Sequence, residues 1–197
     1  MTRELEERRF GSAAEWRAWL AANNRTSPGV WLLIAKRASG ATTVTYREAV
    51  DEALCFGWID GQRTTRDDRY FRQRFTPRTR RSPWSQINTE RVTRLMRAKK
   101  MRAAGMREVE AAKADGRWAT AYAGPASAVV PDDLRAALDA SPTAAALFAR
   151  LDSRNRYAIL YRIGAAKKPE TRAQKIAGFV SDLEAGTTPY PQRDKPA

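Results

Sequence analysis

The chain has 197 residues, 43% of them hydrophobic and 29% charged, with a formal net charge of +14. Such values suit one globular domain, or one domain with a small appendage, and exclude a chain too polar to bury a core. Histidine is absent and Cys55 is the only cysteine, which excludes a Ser-His-Asp triad, a His-based metal site, a zinc ribbon and an intramolecular disulfide.

Residues 1–11 read as a frayed lead-in of mixed charge. Ser12 and Glu15 form an S-x-x-E capping box, which predicts a helix with Trp16, Trp19 and Leu20 on one face. Asn23-Asn24 and the turn Ser27-Pro28-Gly29 end it. Val30 to Ala35 is predicted as a buried strand, with a short partner strand at Thr42–Thr45. Thr45 and Glu48 start a second helix that turns Ala49, Val50, Ala53 and Leu54 inward and stops at Gly57, where glycine supplies left-handed geometry. Residues 62–76 predict a hairpin turning at Thr64–Asp68, with an aromatic- and Arg-rich strand at Arg69–Thr76. An arginine-rich loop, Pro77–Pro83, follows. Helices are predicted after Asn88 (Val92, Leu95 and Met96 inward) and from about Ala103 to Asp115-Gly116. Gly124–Pro131 reads as a linker. Beyond it come helices at Leu134–Leu138, from Ser141-Pro142, from Ser153, and from Pro169 to Glu184.

The expected fold class is α+β: a small, mostly antiparallel sheet with packed helices over residues 10–122, a helical segment at 128–186, and a loose Pro-rich tail at 187–197. No apolar run approaches the roughly 20 residues of a membrane span. The first ten residues hold no signal-peptide apolar region, so a cytoplasmic location is expected. Glycine-rich phosphate loops are missing too, and no cofactor or metal is expected.

Residues 60–107 hold fifteen Lys/Arg against four Asp/Glu. This favours an anionic partner: a small anionic or aromatic ligand, nucleic acid or, less well, a peripheral membrane surface. Solubility alone is the competing explanation. Within this region Arg72 and Arg74 share a strand face, and Arg78 follows Pro77. Guanidinium groups bind carboxylate or phosphate in bidentate fashion. Trp58, Tyr70 and Trp84 interleave with them, as a site for a flat anionic ligand would require, and Ser85 and Asn88 add polar groups. Packing of the tryptophans in the core, and pairing of the arginines with Asp67 and Asp68, are the structural alternatives. Asp60 is readable as a general base, as an anchor for Arg74 or Arg78, or as a turn-forming aspartate. Beside an arginine it is held ionised, against a proton-shuttling role. Cys55 reads as a buried small hydrophobe, with a redox or covalent role as the alternative. The helix bearing Arg91, Arg94, Arg97, Lys99 and Lys100 presents a basic face, either solvated or laid on an anionic partner.

Three strings stand out: Cys55-Phe56-Gly57-Trp58-Ile59-Asp60-Gly61, Arg74-Phe75-Thr76-Pro77-Arg78, and Trp84-Ser85-Gln86-Ile87-Asn88. With Val30-Trp31-Leu32, Lys113-Ala114-Asp115-Gly116-Arg117-Trp118 and Pro169-Glu170-Thr171-Arg172, the chain resembles the YdeI/OmpD-associated family, the bacteriocin-protection type, over roughly residues 10–186. The resemblance implies a role in tolerance of antimicrobial peptides. A chain of charge +14 repels cationic peptides, so the implied role is indirect. It supplies no catalytic residue. The leading expectation is a non-enzymatic binding protein with an aromatic–arginine pocket formed by Trp58, Asp60, Tyr70, Arg74, Arg78, Trp84, Ser85 and Asn88. A nucleic-acid-binding protein using residues 60–107, and an enzyme using Asp60 or Cys55, are the alternatives.

Overall fold

The computed structural model describes residues 4–192. Residues 1–3 of the lead-in expected to fray lie outside the described residues; within the rest a short strand forms, β1 (Glu7–Arg9), paired in parallel with β2 (Val30–Ala35). Between them runs α1 (Ala13–Asn23), capped by the Ser12 hydroxyl, which accepts from Glu15 N. Helix α2 (Tyr46–Cys55) begins with the full capping box: Thr45 accepts from Glu48 N, and the Glu48 carboxylate accepts from Thr45 N at 2.9 Å. No strand forms at Thr42–Thr45. Thr43 instead places its Oγ1 where a strand carbonyl would stand and accepts from Ala35 N at 2.9 Å.

Gly57, at φ +77°, takes the left-handed conformation that stops α2. The chain then enters the hairpin of β3 (Trp58–Thr65) and β4 (Tyr70–Pro77), which starts four residues earlier than the sequence suggests. Asp67 closes the turn by accepting from Arg69 N and Tyr70 N, both at 2.8 Å. These backbone donors hold its carboxyl below the usual range. The sheet order is β1-β2-β4-β3, with one parallel and two antiparallel pairings. The fold is thus α+β with a mostly antiparallel sheet.

Helices α3 (Gln86–Arg97) and α4 (Ala103–Ala114) complete this part. Strand residues Val30, Leu32, Ile34, Phe71 and Phe75 face inward and join one core with Trp16, Leu20, Val50, Leu54, Val92, Leu95 and Val109 from the four helices. Gly105 sits where α4 meets the end of α2: a Cβ there would lie 2.7 Å from the Leu54 carbonyl oxygen and closer still to that of Cys55. Helix α3 is bound to α2 through Asp51, whose two oxygens take Arg91 at 3.0 Å and Arg94 at 2.6 Å. Two of the cations on that basic helix face are therefore structural.

The chain divides into two compact units, Met1–Ala121 and Tyr122–Ala197. Among the described residues the helices of the second are α5 (Asp132–Asp139), α6 (Pro142–Arg150), α7 (Ser153–Gly164) and α8 (Pro169–Glu184). Its own core gathers Leu134, Leu138, Phe148, Ile159, Ile163, Ile176 and Leu183. Ala128 and Val130, from the stretch read as linker, pack against that core. Asp152, rather than Ser153, caps α7, accepting from Asn155 N at 2.7 Å. Buried Asn155 also accepts from Tyr190 N and donates to Gln192, while Gln192 donates to the Arg150 carbonyl. Residues 187–192 of the expected loose tail are thus tied down. Residues 193–197 lie outside the described residues.

Candidate functional site

Strand periodicity sorts the basic and aromatic residues onto two faces. In the β2–β4 pairing, Val30, Leu32 and Ile34 lie opposite Phe75, Gln73 and Phe71, and all six are buried. Trp31, Leu33 and Ala35 lie opposite Arg74, Arg72 and Tyr70 on the other, outward face. None of these outward residues belongs to the core. The parallel pairing sets Glu7 beside Trp31 and Arg9 beside Leu33 on this same face.

The outward face is organised around Glu7. Its carboxylate accepts from Arg72 at 2.6 Å and from Arg66 at 3.0 Å, and the Arg72 bond is the main cause that holds its pKa below the usual range. The same Arg72 lies 4.7 Å from the Trp31 ring centre and donates from Nε to Thr64 at 2.9 Å. Arg9 donates to the Tyr70 hydroxyl at 3.1 Å, and Arg69 lies 5.7 Å from the Tyr70 ring. Arg74 is exposed and makes no side-chain hydrogen bond or ion pair among the described residues. Arg9 and Arg69 thus lie against the Tyr70 ring and Arg72 against Trp31, while Arg66 pairs with Glu7 and Arg74 stands across from Trp31.

The eight residues singled out in the sequence fall into separate places. Tyr70 and Arg74 are on the outward face. Trp58 and Asp60 pair with Pro77 and Phe75 on the inward side, so the sheet lies between the two pairs. Trp58 is buried, meets Trp16 and Trp19 edge-on and donates its indole N–H to Asn24 O at 3.2 Å. Among the described residues Asp60 forms no ion pair with Arg74. It accepts from the Tyr46 hydroxyl at 2.6 Å and ties β3 to the first turn of α2. Burial, reinforced by that bond, pushes the Tyr46 phenol well above its ordinary range.

Arg78, Trp84 and Ser85 are buried in the loop, and Asn88 joins them only through its backbone N–H. The Arg78 guanidinium stacks 3.6 Å from the Trp84 ring centre and donates to Pro83 O at 3.1 Å. Trp84 packs against Trp118 at 5.0 Å. Ser85 caps α3 by accepting from Asn88 N at 3.2 Å. Cys55 is fully buried; desolvation and then the charge of Glu52 raise its thiol pKa, leaving it a poor nucleophile at neutral pH.

Trp31, Arg9 and Glu7 were not among the expected site residues. Their signal was weak: Val30–Ala35 reads as a strand buried on both faces, and three charged residues do not read as a strand at all. The register itself is hidden by a bulge between Asp60 and Arg63. Gln73, a polar residue pointing inward, fills it by donating to the carbonyls of Gly61 at 2.8 Å and Gln62 at 3.3 Å. Among the described residues no cluster of three or more Cys, Asp or Glu is placed to hold a metal, and no helix is long and apolar enough to cross a membrane.

Comparison with known proteins gives two matches, and the boundary between the compact units falls in the gap between them. Residues 127–186, which span α5 to α8, match the family described as "Bacteriocin-protection, YdeI or OmpD-Associated". The three motif strings between 55 and 88 fall instead within residues 8–108, which match a "Domain of unknown function (DUF8412)". No curated protein and no solved structure matches the chain. With just over half its length matched by the first-unit model, the chain belongs to the DUF8412 family and carries a YdeI/OmpD-associated segment in its helical second unit.

Proposed function

We propose that the protein is a non-enzymatic binding protein, acting in the cytoplasm, that takes a flat anionic ligand on the outward sheet face of its first unit. The observation that carries this reading is Arg74: exposed, with no side-chain hydrogen bond or ion pair among the described residues, and directly across from Trp31. Tyr70 and Arg74 contact the ligand. Trp31 and Arg72 join them, and Glu7 holds Arg72 in place. Arginine offers bidentate hydrogen bonds to phosphate or carboxylate, and the rings offer stacking surface. Of the other expected residues, Trp58, Asp60, Arg78, Trp84, Ser85 and Asn88 support the hairpin and loop from behind. The physiological setting is tolerance of bacteriocins or antimicrobial peptides, suggested by the family matched on 127–186. With a charge of +14 the protein acts there on an anionic intermediary rather than on a cationic peptide.

A second reading, single-stranded nucleic acid on the same face, is favoured by the five arginines Arg9, Arg66, Arg69, Arg72 and Arg74 spread along it. AMP and a twelve-nucleotide oligo-dT separate the two readings. The first expects AMP to bind with an affinity that Arg74→Glu lowers about tenfold, the size of one charged hydrogen bond. The second expects only the oligonucleotide to bind, with affinity falling steeply between 50 and 200 mM salt. Binding of neither probe, or binding indifferent to Arg74→Glu, removes this face as the site.

A further inference from the structure

A different concavity lies on the first unit, away from the outward face and built from residues the sequence motifs do not include. It is a groove of about 560 Å³ between α1 and the start of α4, within the usual range of small-ligand sites. Its floor is apolar. Ala14, Ala18 and Ala21 recur along one exposed side of α1, and Phe56 joins them from the end of α2. Side chains this small leave backbone and methyl surface open to an incoming group.

Its rim is cationic. Arg17, Arg25, Arg102 and Arg107 line it, and no carboxylate does. Arg17 is already committed: it pairs with Glu52, donates to Lys100 O at 3.0 Å and covers the Phe56 ring at 5.6 Å. The other three guanidinium groups make no hydrogen bond, ion pair or ring contact among the described residues. Three uncompensated cations around one depression repel one another, and an anion between them removes that repulsion. The start of α4 adds to this field. Arg102 N is used by the Cys55 carbonyl at 3.0 Å, but no side chain caps the helix, and Ala103 and Ala104 of its first turn, where helix N–H groups have no intrahelical partner, line the groove. Gly105 allows this arrangement, because only a residue without Cβ lets α4 begin so close to the α2 carbonyls.

We propose that this groove binds a small soluble amphiphilic anion: a phosphate monoester whose apolar body lies along the alanine side of α1 while its phosphate is held by Arg25, Arg102, Arg107 and the α4 N–H groups. Bidentate guanidinium contacts suit phosphate geometry, and the alanine floor suits an aliphatic rather than a base-sized group.

Isothermal titration of the full chain with hexyl phosphate, inorganic phosphate and hexanol tests this. The expected result is saturable one-to-one binding of hexyl phosphate, at least tenfold weaker binding of inorganic phosphate, and none of hexanol. Arg102→Ala and Arg107→Ala each weaken hexyl phosphate binding about tenfold, as loss of one charged hydrogen bond does. Ala18→Trp, on an exposed helix position, fills the groove and abolishes binding with the melting temperature unchanged. Equal affinity for inorganic and hexyl phosphate overturns the apolar half of the proposal. Binding unaffected by Arg102→Ala, Arg107→Ala and Ala18→Trp overturns the site. Attachment to phosphatidic-acid vesicles without binding of hexyl phosphate overturns it in favour of a membrane surface. Arg74→Glu leaves hexyl phosphate binding unchanged, so this groove and the outward sheet face stand or fall separately.

Discussion

Strand β4 gives Phe71, Gln73 and Phe75 to one face of the sheet and Tyr70, Arg72 and Arg74 to the other. On the inward face every side chain is held: the apolar ones by four helices, Gln73 by the carbonyls of the bulge. On the outward face the strand leaves Arg74 exposed and Arg72 half-buried, and Glu7 pairs with Arg72 and with Arg66 of the hairpin turn. A strand built this way separates its tasks by alternation. Inward positions decide whether the unit folds, and outward positions are free to serve binding at little cost to stability.

The largest expected effect that would break this comparison is on the inward side. Trp16 is fully buried, stacks with Trp19, contacts Phe75 at 5.6 Å and donates its indole N–H to Ala49 O at 3.1 Å. Trp16→Ala is expected to cost about 3–5 kcal/mol in urea unfolding of the first unit. A loss below ~1 kcal/mol would mean that the inward face is not the stabilising one. Gly105→Ala comes next. Its added methyl meets two backbone carbonyls that cannot swing aside, so α4 must shift, at a cost of about 1–3 kcal/mol by the same measurement.

These inward contacts were largely legible in the sequence; the outward site was not. Capping signals at Ser12, Thr45 and Ser141 placed helix starts to within a residue, because a cap is a local exchange of hydrogen bonds, and Pro169 did so through its fixed φ at the first helical position. Strand β1 escaped notice because Glu-Arg-Arg has no β-branched or aromatic residue, and its pairing partner lies over twenty residues away. Grouping Trp58 and Asp60 with Tyr70 and Arg74 followed from nearness along the chain. Their separation depends on the bulge, which puts Asp60 and Arg63 on one face although they are three residues apart. The groove beside α1 was invisible for a related reason: Ala14, Ala18 and Ala21 read as ordinary helix formers until α4 is packed beside them.

Glu7 tests the outward face with a smaller effect. Its folded pKa is depressed by Arg72 and Arg66 below the ordinary glutamate value of about 4.3. The group thus contributes stability that is fully present above that ordinary value and is lost as pH falls through the lower, folded one. Because the pair is partly exposed, the contribution is expected to stay under about 1 kcal/mol. Unfolding of the wild type and Glu7→Gln should differ by this amount at pH 6 and converge toward pH 3. A difference that persists at pH 3 would show that Glu7 acts through packing rather than through its charge.

The smallest expected change in stability is at Arg74, and there the comparison becomes sharpest. Arg74 neighbours the fully buried Phe75 in sequence, yet among the described residues its side chain makes no hydrogen bond or ion pair. Arg74→Ala is therefore expected to alter unfolding free energy by no more than about 0.5 kcal/mol, and removal of an uncompensated cation among Arg9, Arg66 and Arg72 gives the change a stabilising sign. Binding of AMP to the same variant is expected to weaken about tenfold. The two measurements on one protein separate the roles. Large destabilisation without loss of binding would make the outward face a second structural surface. Unchanged stability with lost binding makes it the surface that alternation along β4 leaves available.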